Sequence, residues 1–448
     1  MSTVNERPAD IASFKGYYRN LTATPDQYLQ QVERGTPGGD FHRRFWQPVA
    51  YVRELGKGPL RVRALGEDLV VFKNLKGEVG CLHLHCCHRN SSLEFGILTD
   101  DGIRCCYHGR EYALNGTCIA MPGDPNAERI MKQVNQGGYP THIFNEIVFI
   151  YMGPPEDVPV FPVFDRFGLP GVRDLPGYRL TVDCNWLQIK ENAMDAHHTA
   201  VLHVIPHMRG STDPFHFAGE FGVPPVITWV EAPHGCIYFG ARTVADMLWV
   251  RSAEIMYPNL HIINAVTESG RNQKYSSAPF LSMWTLPIDS EHSVQFVSTH
   301  YVDAEGEGGI KGMNYAERQI AEVFGQIHND RPYEERQWIP GDVDAQEGQG
   351  AINPHDLETL GTLDRGITMF RKMVRQGIDA VAKGETPAGF YRSQDDVPPT
   401  FANDYIIPAS EAGIDTNDPN ALRAFAVDVV WKKYQERPPM RDYREKYG

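Results

Sequence analysis

No run in the chain approaches the ~20 apolar residues that a membrane-crossing helix needs. The longest candidate, HIFNEIVFIYMG at 142–153, is short and is interrupted by Asn145 and Glu146. A Walker A box is missing, and so is a GxGxxG after a strand. The glycines at 306–312 miss that pattern because Lys311 fills the last glycine slot. Neither a nucleotide nor a dinucleotide is therefore an expected ligand, and any electrons the chain uses must come from another protein. The opening MSTVNERPADIASF has no apolar core and does not read as a secretory signal. Positive charge is not in excess either. A formal net charge of −14 argues against nucleic acid and against an anionic membrane as partners. Eight cysteines in 448 residues fit a reducing cytoplasm rather than a disulfide framework.

The cysteines that are present are concentrated. Residues 81–109 read CLHLHCCHRNSSLEFGILTDDGIRCCYHG, with Cys86-x-His88, sixteen residues, then Cys105-x-x-His108. Two thiolates and two imidazoles on two short loops make a four-ligand metal site. Two Cys can hold one iron of a [2Fe–2S] cluster while two His hold the other, which raises the potential above that of an all-Cys cluster. A structural zinc also accepts Cys2His2. A common zinc finger, however, pairs Cys with Cys and His with His along the chain. Here each loop supplies one of each, as two knuckles closing on a two-metal cluster require.

The length suggests two or three domains. Residues 1–45 are polar, with a short helix expected at 26–34 and a Gly/Pro break at GTPGGD. A β-rich region follows to about 155. It contains a hairpin about Gly66–Asp68 and another with Asn115-Gly116 at its tip, the sequence of a type I′ turn. The Pro-rich PPEDVPVFPVF is a linker. From about 178 the strand-like runs YRLTVDCNW, CIYFGARTV, SAEIMYPNLHIINAV, PFLSMWTLPI and HSVQFVSTHYV predict an antiparallel sheet. Amphipathic helices at 314–327 and 363–384 should pack on it. The tail 385–448 is Pro-rich.

A second constellation lies in WLQIKENAMDAHHTAVLH, which reads as one helix ending before Pro206. Asp195, His198 and His203 fall within three turns. An i,i+5 pair sits about 140° apart on an ideal helix, so His198 and His203 share a metal only if the helix is locally widened. His203 and His207 have the better spacing, but Pro206 removes the hydrogen bond between them. From the residues alone His197, His198, His203 and His207 all remain candidates.

CCHR and CCYHG resemble the two cluster-binding boxes of Rieske proteins. ENAMDAHHTAVLH resembles the E-N-x-x-D-x-x-H-x4-H signature of Rieske non-haem iron aromatic-ring-hydroxylating oxygenases, α subunit, of the phthalate-dioxygenase and O-demethylase type. GDVDAQEGQGAI at 341–352 resembles that family's late ligand segment. The resemblance implies an α+β chain of three parts: an N-terminal helical segment (1–45), an all-β Rieske [2Fe–2S] domain (46–155) and a catalytic mononuclear iron domain with a C-terminal extension (156–448). The catalytic part would be of the helix-grip type, with helices packed on an antiparallel sheet. It implies Cys86 and Cys105 on one cluster iron, and His88 and His108 on the other. His198, His203 and Asp342 would be ligands of a mononuclear Fe(II), with Asp344 the runner-up for the carboxylate and Glu347 the register mark. Asp195 is implied as the acid linking the two centres, accepting from His198 and from a cluster His, and Asn192 as the nearby amide. Cys87 stands where the family usually has Pro, and Arg110 where it has Trp. Cys87 and Cys106 read as free, small fillers.

The implied function is the terminal oxygenase of a multicomponent system, hydroxylating an acidic or phenolic aromatic substrate with O2. Oxidative O-demethylation of a methoxylated aromatic acid is the alternative. The implied partners are a flavin and iron–sulfur NAD(P)H-dependent reductase, acting directly or through a ferredoxin, and further copies of the chain in a trimer or hexamer. Arg209, Arg242 and Arg251 are the cations that could hold a substrate carboxylate. Two other classes compete: a Rieske electron carrier without oxygenase chemistry, and a zinc-stabilised binding module. A carrier needs little beyond the first 150 residues, and a zinc protein would be colourless.

Overall fold

The computed structural model describes residues 23–56, 58–167, 172–210, 222–264, 280–302 and 331–435. The expected helix at 314–327 lies outside the described residues. Helical structure begins with Gln27–Gln30, capped by Asp26, whose side chain accepts from Leu29 N. The expected break at GTPGGD is itself a helix, Pro37–His42. Thr36 caps it and Pro37 occupies the first turn, where its missing N–H costs nothing. The glycines there serve a close approach. A Cβ on Gly39 would lie 2.0 Å from the Glu33 carbonyl oxygen.

The β-rich region contains three small sheets. Trp46–Tyr51, Ile147–Tyr151 and Thr141–Phe144 form one. Leu60–Ala64, Glu67–Lys73, Val79–His83 and Gly138–Tyr139 form the second. Ile97–Leu98, Gly102–Arg104, Glu111–Ala113 and Cys118–Ala120 form the third. Both expected hairpins are present, the first turning at Leu65-Gly66, where both residues have positive φ (49° and 80°). At Asn115-Gly116 only the glycine has positive φ (84°), so the tip is not type I′. Asn145 and Glu146, which looked like mere interruptions of an apolar run, both have positive φ (46° and 61°). They form the left-handed pair that folds Thr141–Phe144 back on Ile147–Tyr151.

The second half is built on an eight-stranded antiparallel sheet. Val226–Ala232, Gly235–Val244, Met247–Met256, Leu260–Asn264, Phe280–Pro287 and Ser293–Val302 run as a meander. Val172–Val182 pairs with Ser293–Val302, and Asn403–Pro408 pairs with the first half of Met247–Met256. The run expected as one strand at 252–266 is two strands, parted at Tyr257-Pro258, where proline can offer no N–H to a ladder. Val226–Ala232 was not anticipated. Neither were Asn403–Pro408 and the helix Pro419–Gln435 in the Pro-rich tail.

The amphipathic pattern at 363–384 is a helix, Arg365–Ala382, burying Phe370, Met373, Val374 and Ile378 on one face. These join Phe149 and Ile150 of the first small sheet and Trp284 and Phe296 of the large sheet in one buried cluster. Phe370 is completely buried, and truncating a Phe in such a place costs about 3–5 kcal/mol. Tyr51 fastens the two sheets: its hydroxyl donates to Tyr178 O (2.6 Å) and accepts from Val297 N (3.0 Å). The N-terminal helices dock on the second half as well, through Arg375–Asp26 (2.5 Å) and Asn185 Nδ2 to Gln30 O (2.8 Å). A separate cluster of Val70, Phe72, Leu82, Ile103 and Tyr112 contains Cys86 and Cys105.

Candidate metal centres

The loops carrying Cys86 and Cys105 have the same local build. Cys86 N donates to Ser91 O and Cys105 N to Arg110 O, each five residues on. The carbonyl of each cysteine accepts from the residue four on, Asn90 and Gly109. Both of those have positive φ, 57° and 73°, which Asn and Gly tolerate best. The result is a pair of matching knuckles. Cys86 and Cys105 point into the core, while His88 and His108 are exposed with ring centroids 4.6 Å apart. Burial pushes the Cys86 thiol up. Desolvation and the charges of Arg110, His108 and Arg89 push His88 down, toward the neutral form a metal needs.

Two supports carried no recognisable sequence signal. The Tyr112 hydroxyl lies 3.0 Å from Cys86 Sγ and 3.3 Å from Cys87 Sγ. Gln136 staples the first loop: its amide nitrogen donates to His83 O and His85 O, and its oxygen accepts from Cys87 N. Cys87 and Cys106 are free, but both are exposed, so they do not fill a core.

At the second constellation the expected single helix is broken. It spans Trp186–Met194 and stops at Asp195, whose φ and ψ (−90°, 86°) are not helical. The Asp195 Oδ1 accepts the backbone N–H groups of His197 (2.9 Å) and His198 (3.2 Å), an Asx turn that competes with helix continuation. Two 3-10 turns follow, His198–Ala200 and Leu202–Val204. These turns, and no widened helix, bring the His198 and His203 rings to 4.9 Å.

Asp342 opens the helix Asp342–Glu347. Its Oδ1 lies 2.9 Å from His203 Nε2 and 3.4 Å from His198 Nε2. One donor atom from each of the three residues falls within 4.8 Å of the others. The ring Nδ1 of His198 donates to the main-chain carbonyl of Asp195, which leaves Nε2 as the basic nitrogen. The Asp195 carboxylate was expected to take that bond, but its Oδ2 stays 3.8 Å away. Asp344 does not join the group. It caps Gly341 N (2.8 Å) and pairs with Arg331 (3.0 Å) and Arg336 (2.5 Å). Glu347 Oε1 accepts from Asp183 N. Asn192 is half-buried and offers its main-chain carbonyl to Asp195 N. His197 is outside the group, and the His207 side chain is outside the described residues.

The electrostatics match the donor set. Burial acts against a charge on Asp342, but the two imidazoles offset it and hold the carboxyl well below its ordinary range. Burial also acts against charge on His198, where Asp342 and Asp195 win and the ring is raised. On His203 burial wins and the ring is lowered. Two imidazoles and a carboxylate converging from one side suit iron(II), with positions left over for reactants. A second group, Glu191, His355 and Glu358, has metal-like spacing. There the Arg371 guanidinium already occupies the cation's place, bonding both carboxylates.

Of the three arginines, Arg209 is exposed and stacks 3.8 Å from the Trp338 ring centroid. Arg242 and Arg251 are buried in the large sheet. Arg242 lies over Trp249, and Arg251 Nε is 3.9 Å from Asp404. Burial pulls Arg242 down to about 10.

Residues 45–138 match the Rieske [2Fe-2S] domain family. The chain belongs to the Rieske non-haem iron oxygenases, as an oxygenase subunit whose cofactors are a [2Fe–2S] cluster and a mononuclear iron. It is 38% identical over 419 residues to the tert-butanol monooxygenase / tert-amyl alcohol desaturase oxygenase subunit of Aquincola tertiaricarbonis, covering 88% of this chain and 86% of that one. It is 31% identical to the phenoxybenzoate dioxygenase subunit alpha of Ectopseudomonas oleovorans, over 85% and 91% of the two chains. Among solved structures, the NdmA QL mutant of Pseudomonas putida CBB5 with theobromine shares the fold. Its TM-score is 0.59 at 21% identity, over 80% of this chain and 96% of that one. Among the described residues no helix is long and apolar enough to cross a membrane.

Proposed function

We propose that Cys86, His88, Cys105 and His108 hold the [2Fe–2S] cluster, and that His198, His203 and Asp342 hold the mononuclear iron. The observation that carries this is the convergence of two Nε2 atoms on one Asp342 oxygen, with His198 oriented from behind by Asp195. The iron, when bound, supplies O2 activation at the two-His, one-carboxylate site. The chain's own residues orient and insulate. Asp195 holds the His198 ring in one tautomer, and the buried sheet face beneath the site keeps water out.

Electrons come from a NAD(P)H-dependent reductase, directly or through a ferredoxin, and pass from the cluster of one copy to the iron of the next in a head-to-tail trimer. Two surfaces support that arrangement. Phe95, Ile97 and Tyr107 are exposed beside the cluster loops, and Val201, Met208 and Trp338 beside the iron site. The Asp195 carboxylate is partly exposed and could accept from His108 of a neighbouring copy. The three-part division at residues 45 and 155 follows the same reading.

The substrate we propose is an oxygen-bearing aromatic, acidic or phenolic, which is hydroxylated or O-demethylated. Arg242 and Arg251 on the sheet favour an acid. A second reading, hydroxylation of a tertiary alcohol, is favoured by the similarity to the tert-butanol enzyme. Incubation with phthalate, 3-phenoxybenzoate, methoxybenzoates and tert-butanol, a reductase and NADH, followed by product analysis, separates them. Oxygenated product from an aromatic member supports the first reading, and product from tert-butanol alone supports the second. For the ligands, Asp342→Ala should lower iron from about three to about two per chain, leaving the cluster spectrum intact. Unchanged iron content would remove Asp342 from the site.

A further inference from the structure

Among the buried polar residues of the large sheet that the metal centres do not use is His261. The ladder pairs His261 with Ile255 on one side and with Met283 on the other. Strand alternation then puts Arg251, Ile255, His261, Met283 and Leu281 on one face. Helix Trp186–Met194 packs across that face. From it, Lys190 reaches down, with no exposed surface, to place Nζ 2.7 Å from His261 Nδ1. The same amine donates to Met283 O at 3.3 Å. Val343, next to Asp342, shares a buried cluster with Ile189 and Leu281, so the metal group overlies the same face. The charges confirm the proximity: Asp342 acts on His261, and Arg251 acts on His203.

Burial acts against charge on the Lys190 amine and on the His261 ring and holds each well below its ordinary value. A polar pair in a core is costly compared with two aliphatic side chains of the same volume. His261 nevertheless keeps a sliver of exposure, at 5%. Lys190 holds the inner nitrogen, and the outer one, Nε2, makes no hydrogen bond with the described residues.

We propose that His261 is a substrate-contacting, specificity-determining residue, and that Lys190 is the positioning residue that fixes its ring. This rests on reading His198, His203 and Asp342 as the iron ligands. With the amine donating to Nδ1, the ring proton resides on Nε2. It is offered to an acceptor oxygen of the substrate: a hydroxyl, an ether or a carbonyl. A site built around such a donor rejects the isostere lacking the oxygen.

The test measures binding to the anaerobic, iron-loaded, full-length protein by headspace partitioning, which needs no turnover. Two isosteric pairs serve as probes: anisole with ethylbenzene, and tert-amyl alcohol with 2,2-dimethylbutane. The wild type should prefer the oxygen-bearing member of at least one pair about tenfold. His261→Phe should bring that ratio to about one, with hydrocarbon affinity and iron content unchanged. Lys190→Met should lower the ratio part of the way by weakening the oxygen-bearing member alone. A purely structural role would weaken both members equally. Should the Phe variant not accumulate, His261→Gln and Lys190→Met report on the same ratio, the Gln variant retaining part of it through its own donor. A preference that survives every substitution, or a wild type without one, overturns the proposal. Full iron content in Asp342→Ala would instead overturn the ligand reading beneath it.

Discussion

Asp195 does more than one job with one side chain. Its Oδ1 breaks the helix by accepting from His197 N and His198 N, and its main-chain carbonyl orients the His198 ring. An amide can still accept those N–H bonds, so Asp195→Asn should keep both metal centres loaded. It should nearly abolish turnover, because the charge offered to a neighbour's cluster histidine is gone. Steady-state turnover with metal analysis checks this, and normal activity would remove Asp195 from the electron path. Glu191 carries a different consequence. Burial raises its carboxyl to about 7, against the hydrogen bonds and charge of Arg371 and with the added repulsion of Glu358. An acid raised in the folded state binds its proton more tightly there than when unfolded. Its contribution is therefore favourable at low pH and is lost as pH rises through the folded value. The urea midpoint should fall between pH 5 and pH 8, by a stability on the order of 3 kcal/mol. Glu191→Gln should flatten that slope, and an unchanged slope would mean that another group titrates.

Among elements, a close fit that bears on the site is where helix Arg365–Ala382 meets the end of the site helix. A Cβ on Gly366 would sit 2.2 Å from Trp229 Nε1 and 2.8 Å from Met194 O. That same indole N–H donates to Met194 O at 3.1 Å, fixing the residue just before Asp195. Gly366→Ala should therefore cost about 1–3 kcal/mol by overpacking and reduce iron occupancy at the His198 group. A stable variant with full iron would show that the helix end tolerates displacement. This scale also marks what the chain order could and could not reveal. The two matching loops that carry Cys86 with His88 and Cys105 with His108 were legible because their spacing is local and both knuckles close within five residues. The period-3.6 pattern of Phe370, Val374 and Ile378 was legible for the same reason. The stop at Asp195 was not, because an Asx turn and a helix continue from the same residues and only the side-chain hydrogen bonds separate them. Asp342 could be chosen over Asp344 only by resemblance. In the fold Arg331 and Arg336, several positions upstream, claim Asp344, while Asp342 meets His198 and His203. Gln136, Tyr112 and the Lys190–His261 pair act across 26 to 71 residues of separation, where a single sequence carries no pattern.

At the scale of the molecule, the two sets of donors belong to different cores. The cluster loops hang on the small cluster around Tyr112, and the iron group overlies the large sheet. The exposed rings of His88 and His108 face outward from their own chain. Under the proposed head-to-tail arrangement, current between copies would join the two centres without asking either core to deform. Co-expression of a Cys86→Ser chain, which lacks the cluster, with an Asp342→Ala chain, which lacks the iron, tests this most directly. Each chain alone is inactive. The mixed oligomer should recover about a quarter of wild-type turnover, the share of head-to-tail contacts that pair an intact cluster with an intact iron site. Mixed oligomers that form and remain inactive would contradict transfer between copies.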